Sequence, residues 1–283
     1  LAPPLILGQD VSPMNPQSSA AAGALVDLGA RVAAHLSACS DGPVTLQGLA
    51  PLGGGACQDL YRVDVTFSAG PLSGARRLVL RSDARQSLPG SLNRRQEFAV
   101  INAAAAAGVR TPAARFLADG LVRPGASAYF LDFVEGEALG RRVLREPALA
   151  QTRARLPALL CAELARIHSI TPDAHPELAF ANMGQPLVEG AAEAALRFAR
   201  LNLDAMREPR PALELAVRWL REHQPAPVPL TLCHGDFRTG NFLCDPQGLQ
   251  AVLDWEFSHF GDPMEDLGWL CVRDWRFGQL KRP

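Results

Sequence analysis

The chain has 283 residues, 48% of them hydrophobic, which is length and apolar content enough to bury a large core in one domain or two modest ones. A formal net charge of −1 spreads no basic field over the molecule and argues against nucleic acid as a partner. The Ala-rich apolar stretches are broken by charges such as Asp27 and Arg31 and fall short of the roughly 18 residues of a membrane span, and the start lacks a basic segment followed by an apolar run, so neither a membrane partner nor export is expected.

In chain order, residues 1–19 are rich in Pro, Ser and Gln without periodicity and read as a surface arm. Over residues 20–38, Leu25, Leu28, Val32 and Leu36 recur at helical spacing and predict an amphipathic helix. The period then becomes two. Residues 60–67 alternate, residues 77–81 form a second β-rich run, and turn-forming residues 68–75 separate them, which predicts consecutive antiparallel strands. Residues 91–107 return to a helical pattern with Phe98, Ile101 and Ala105 on one face and Gly108 at the C-terminal cap position. A further strand is expected over 126–134.

After Gly136 the strand signal nearly vanishes. Residues 138–170 and 188–222 read as helices, the second broken near Pro209 and Pro211. Strand signals reappear at 242–244 and 249–253 around the turn sequence Asp245-Pro246-Gln247-Gly248, which predicts a hairpin. The pattern divides the chain into an arm and helix (residues 1–39), a small sheet with one helix (40–134) and a mainly helical half (135–283).

Six scattered cysteines in a chain of this size indicate free thiols and a reducing, cytoplasmic compartment. Lys281 is the only lysine, so nearly all positive charge is arginine. The segment 233–241, CHGDFRTGN, concentrates a histidine, a carboxylate and an amide in nine residues with two glycines between them. The predicted hairpin starts just after Asn241 and ends just before Asp254, and antiparallel pairing brings those two ends together beside Asp236. An amide oxygen with two carboxylates suits a hard divalent cation such as Mg²⁺, which commonly completes its shell with phosphate oxygens. Cys233, Cys244 and His259 lie nearby in sequence, but their spacing fits no zinc pattern, and the sequence predicts none.

The pattern H-G-D-x-x-x-x-N followed by an aspartate after a short hairpin resembles the catalytic core of the aminoglycoside phosphotransferase and choline kinase family, a small-molecule branch of the protein-kinase-like fold. The resemblance implies a bilobal α+β architecture, ATP and Mg²⁺ as cofactors, and transfer of the γ-phosphate to a hydroxyl of a small molecule such as a hydroxyacyl-CoA, an amino alcohol, a sugar or an aminoglycoside. It assigns Asp236 as catalytic base, with Asn241 and Asp254 as metal ligands. It places Gly54 and Gly55 in the loop covering the phosphates and Asp132 in the adenine hinge at residues 129–134. Arg81 stands where the family has a phosphate-binding lysine, and Glu97 where its carboxylate partner lies. Arginine can hold phosphate but is a larger, forked cation, and Arg85, Arg94 and Arg95 are nearby rivals. The missing lysine also admits a different class of function, a silent nucleotide-binding module. His234 and Asp266 are expected to brace the loop. The stretches GGACQDLYRV, LVLRSD and LDWEFSHFGDPMEDLGWL are similar to phosphotransferases related to the kinase domains attached to some acyl-CoA dehydrogenases.

Overall fold

A computed structural model describes residues 19–52, 59–84, 88–182, 190–206 and 208–276. Helix α1 (Ser19–Ala38) precedes three strands, β1 (Val44–Pro51), β2 (Asp59–Phe67) and β3 (Gly74–Ser82). Helix α2 (Arg94–Ala106) and strands β4 (Ala114–Asp119) and β5 (Ser127–Asp132) complete a five-stranded antiparallel sheet of order β1-β2-β3-β5-β4. Helices α3 (Gly140–Arg145), α4 (Ala150–Ile167), α5 (Ala191–Ala205) and α6 (Pro211–Glu222) follow. Then come the short strands β6 (Thr231–Cys233), β7 (Phe242–Asp245), β8 (Gly248–Val252) and β9 (His259–Gly261) and helix α7 (Met264–Leu270). The α+β architecture expected from the sequence is the one observed.

Strand alternation decides what each face of the sheet touches. Val63, Val65 and Phe67 of β2, Leu78 and Leu80 of β3, and Phe130 of β5 share one face with Leu28, Val32 and Leu36 of α1. Leu60, Val79, Tyr129 and Leu131 point the other way, into a larger core with Val100, Ile101 and Ala104 of α2. That core continues through Leu160, Leu164 and Ile167 of α4 to Leu243, Leu253 and Trp255, so one apolar body joins the sheet to the helical half. Arg81 has the parity of Val79 and is therefore carried to the α2 side with it.

The edge strands β1 and β4 went unpredicted. Gly48 and Pro51 weaken the strand signal of β1, and a proline lacking N–H is admissible on an edge strand. Helix α2 begins three residues later than expected because Asn93 is its cap: the Asn93 side chain accepts from the Gln96 amide at 2.9 Å while Gln96 returns a bond to the Asn93 N–H.

Candidate active site

Strand β6 ends at Cys233 and the chain turns directly into the His234–Asn241 loop. Gly235 has φ of +78°, and a Cβ there would stand 2.2 Å from the Phe257 carbonyl oxygen, so this turn admits no side chain. The fully buried Asp266 carboxylate accepts the His234 and Gly235 amides, each at 2.9 Å, and lies 3.0 Å from Nε2 of His168 at the end of α4. This is the brace expected of Asp266. Nε2 of His234 donates to the Leu253 carbonyl at 2.9 Å and Nδ1 receives the Asp236 amide at 3.3 Å, so both ring nitrogens of His234 are used inside the loop. The imidazole is a support here, not a base.

Burial opposes the negative charge of Asp266, but the bond from His168, with His234 and the two amides, overrides it and holds the carboxyl below its ordinary value. A depressed folded-state pKa gives stability that is present above the unfolded value near 4 and is lost as pH falls through the folded one. Asp266→Asn is accordingly expected to cost roughly 1–3 kcal/mol near neutrality. In urea unfolding from neutral pH downward, its deficit against wild type should shrink below about pH 4.

The hairpin of β7 and β8 pairs Phe242 with Val252, and the Leu253 amide donates to the Asn241 carbonyl at 2.8 Å. This register brings together Asp236, Asn241 and Asp254. The Asn241 amide group donates from Nδ2 to the Asp236 carbonyl at 2.9 Å and to Asp236 Oδ2 at 2.6 Å. Its oxygen, Oδ1, is buried and has no hydrogen-bond partner among the described residues. A buried acceptor left over beside two carboxylates is the donor set a hard oxygen-seeking cation takes, so Asn241 and Asp254 fit Mg²⁺. Asp254 has φ of +67°, a backbone conformation uncommon for a residue with a side chain.

Two partners of Asp236 were not anticipated. Its Oδ1 accepts from Arg238 Nε at 2.9 Å and from the Trp269 indole N–H at 2.7 Å. Arg238 in turn lies 4.5 Å over the Trp275 ring. The sequence held weak hints of both: Arg238 is two residues past the aspartate in the same loop, and Trp269 is three residues past Asp266, on the same side of α7.

Behind this trio runs a buried ionic network. Arg81, 2% exposed, donates from Nε to Glu97 Oε2 at 3.0 Å. Its Nη2 lies 2.9 Å from Glu97 Oε1 and donates to Asp254 Oδ1 at 2.6 Å. Arg94, a buried residue one turn before Glu97, places Nη1 2.7 Å from Glu97 Oε2 and donates from Nη2 to Glu256 at 3.1 Å. Arg81 is therefore in the predicted place with the predicted partner, and Arg94 is a second cation in the same network. Arg95 instead pairs with Asp119 at the surface. Burial disfavours the Arg81 charge, but Glu97 and then Asp254 more than reverse this and keep the guanidinium protonated. For Asp254 burial likewise opposes the charge, here by acting upward, but Arg81, followed by Arg94, pulls the carboxyl below its ordinary value. Glu256 goes the other way, raised by burial and then by Asp254.

Asp132 ends β5 with its amide and its carboxylate both engaged inside the protein. Its amide donates to Ala113 at 3.1 Å and its carboxylate is held by Arg115 through two 3.0 Å bonds, because it is still within β5 and paired in the sheet. The Phe133 amide is also taken, by Arg77 at 3.1 Å. Gly54, Gly55 and Arg85 lie outside the described residues.

Residues 48–283 match the family model described as "Phosphotransferase enzyme family". The chain belongs to this family. A curated member of its sequence neighbourhood, acyl-CoA dehydrogenase family member 10 of Mus musculus, is 28% identical over 204 residues, covering 70% of this chain and 18% of that protein. The chain thus spans less than a fifth of that relative's length. Among solved structures, a Ralstonia eutropha JMP134 protein provisionally assigned as an aminoglycoside phosphotransferase superposes with a TM-score of 0.62 at 21% identity, over 84% of this chain and 68% of that one. The GDP complex of wild-type aminoglycoside 2'-phosphotransferase-IIIa gives 0.55 at 16% identity, over 80% and 72%. At these identities the structural likeness speaks for the family's fold. Among the described residues, no helix is long and apolar enough to cross a membrane.

Proposed function

We propose that this member of the phosphotransferase family moves the γ-phosphoryl group of ATP to a hydroxyl of a small molecule, with Mg²⁺ held by Asn241 and Asp254. The observation that carries the reading is the convergence of Asp236, Asn241 and Asp254, with the Asn241 oxygen buried and unpartnered. When bound, the cation neutralises phosphate charge and aligns the donor. Asp236 orients the acceptor hydroxyl and takes its proton as the oxygen attacks the γ-phosphorus in line and the bond to the leaving ADP oxygen breaks. Asn241, bonded to Asp236 through Nδ2, sets the spacing between the base and the metal. Arg81 acts on the site through Asp254, which it holds in place while Glu97 holds Arg81. Since the transition state is loose, positioning and charge stabilisation supply most of the rate.

One observation favours a second reading, nucleotide binding without transfer: two of the three Arg81 guanidinium nitrogens are engaged by protein carboxylates, where a family lysine would be turned to phosphate. Incubation with Mg²⁺ and either ATP or GTP over hydroxylated acceptors, namely hydroxyacyl-CoAs, amino alcohols, sugars and aminoglycosides, separates the two. Acceptor-dependent release of nucleoside diphosphate that stops when Mg²⁺ is chelated is the expected result. Saturable nucleotide binding without acceptor-dependent turnover selects the second reading, and absence of nucleotide binding contradicts both.

A further inference from the structure

Strand β9 pairs antiparallel with β6, and the register sets His259 directly opposite Cys233. In the first turn of α7, Glu265 reaches back to the same place, with Oε2 3.0 Å from His259 Nε2. The Cys233 sulfur, the His259 ring nitrogen and a Glu265 oxygen all lie within 4.8 Å of one another. A thiolate, an imidazole and a carboxylate are the protein ligands zinc takes, and tetrahedral zinc would space them roughly 3.3–3.6 Å apart, which widens the 3.0 Å His259–Glu265 contact slightly and is within reach of an exposed glutamate.

Three further features point to an ion. The first is the imidazole's orientation. Nδ1 of His259 lies 2.9 Å from the Phe257 carbonyl, so it carries the proton and leaves the Nε2 lone pair facing the Glu265 carboxylate. In the metal-free chain a second ring proton bridges this pair, and it occupies the position between two ligand atoms that a cation would take. The second is Gly261. A Cβ at that position would stand 3.1 Å from His259 Nε2 and 3.3 Å from Cys233 Sγ, so glycine keeps open the space between the two ligand atoms. The third is access. A cavity of about 320 Å³ is lined by Gly235, Phe257, His259, Gly261 and Glu265 on one side and by α5 on the other, and leads solvent to His259 and Glu265, with Cys233 buried behind them.

We infer that Cys233, His259 and Glu265 form a zinc site, separate from the Asn241–Asp254 pair, with its fourth position open to this cavity. Zinc replaces the thiol proton and the second imidazole proton, so two protons leave as the ion binds and affinity rises with pH. Burial, reinforced by Asp266, Glu265 and Asp262, holds the metal-free thiol protonated, and the same three carboxylates favour an incoming cation. The site ties β6, β9 and α7 together one residue before the His234 turn, so its occupancy stabilises the loop that presents Asp236. The linear spacing of the sequence hides the site because sheet pairing, and not proximity along the chain, supplies two of its ligands.

The test uses the full chain, stripped with chelator and returned to buffer with excess Mg²⁺ to occupy the phosphate-transfer site. Zn²⁺ alone is titrated against a metallochromic competitor, and Co²⁺ is substituted for spectroscopy. One equivalent of Zn²⁺ per chain, a thiolate-to-cobalt charge-transfer band and a raised melting temperature are expected. Cys233→Ser should remove the band. His259→Ala and Gly261→Ala should each weaken Zn²⁺ binding at least about tenfold. Gly261→Ala removes no ligand, and circular dichroism on it and on His259→Ala keeps the test valid where Cys233→Ser fails to fold. Failure of wild type to bind one equivalent, or binding that is unchanged in both folded variants, as an adventitious ion would give, overturns the proposal.

Discussion

Asp236→Asn is expected to lower the rate of phosphoryl transfer by about 10²- to 10⁴-fold while leaving nucleotide affinity within a few-fold of wild type. The asparagine is nearly isosteric and can still accept from Arg238 and Trp269, the two groups that now bond Asp236 Oδ1. What it cannot do is take the proton of the acceptor hydroxyl or accept from Asn241 Nδ2 as Oδ2 does, although Asn241 keeps its bond to the backbone carbonyl of residue 236. The loss should therefore appear in kcat, with little change in the KM for nucleotide, whose phosphates are not touched by Asp236 on this account. Steady-state kinetics with the acceptor found in the screen, together with a nucleotide binding isotherm, measures both. A variant that turns over at the wild-type rate removes Asp236 from the chemistry, and one that loses nucleotide binding makes it a structural residue.

The second large effect belongs to Arg81. Arg81→Ala is expected to destabilise the fold by roughly 3–5 kcal/mol, because it leaves buried carboxylates uncompensated. Glu97 is 1% exposed and would keep only Arg94, while Asp254 would lose its hydrogen-bonding cation altogether. Arg81→Lys tests the geometry separately from the charge. An ammonium has the right sign but no fork, so it cannot hold both Glu97 oxygens and Asp254 as the guanidinium does. Arg81→Lys should lose less than half as much stability as Arg81→Ala, and it should still weaken Mg²⁺-dependent nucleotide binding through a displaced Asp254. Urea unfolding of the three proteins gives the comparison. An alanine variant as stable as wild type contradicts the network's structural role.

Much of this was legible in the residues because local rules and tertiary demands agree. The alternation of residues 60–67 put Val63, Val65 and Phe67 on one face, where α1 covers them. The turn at Asp245–Gly248 fixed a hairpin register that carries Asn241 to Asp254 without any knowledge of the rest of the fold. Arg81 and Glu97 were recoverable through the family resemblance, and the structure supplies the physical reason that they meet: strand parity carries Arg81 to the α2 side, where Glu97 is buried. Other features depended on contacts between distant segments. Trp269 meets Asp236 only because α7 packs against the loop it braces, and Cys233 meets His259 only through the β6–β9 pairing. The Asp132 side chain was also beyond the sequence's reach, because its bonds to Arg115 depend on the pairing of β4 with β5. The edge strands were missed because β1 has only Val44 and Thr45 as β-branched residues before Gly48 and Pro51, and β4 has none.

Binding of Mn²⁺, a paramagnetic stand-in for Mg²⁺, followed by electron paramagnetic resonance with and without nucleotide, tests the centre of the account most directly. Wild type should bind Mn²⁺ with nucleotide-enhanced affinity, and Asn241→Ala and Asp254→Asn should each weaken that binding at least about tenfold while circular dichroism shows the fold retained. Mn²⁺ affinity that is the same in wild type and both variants would contradict a metal-assisted phosphoryl-transfer site at Asn241 and Asp254.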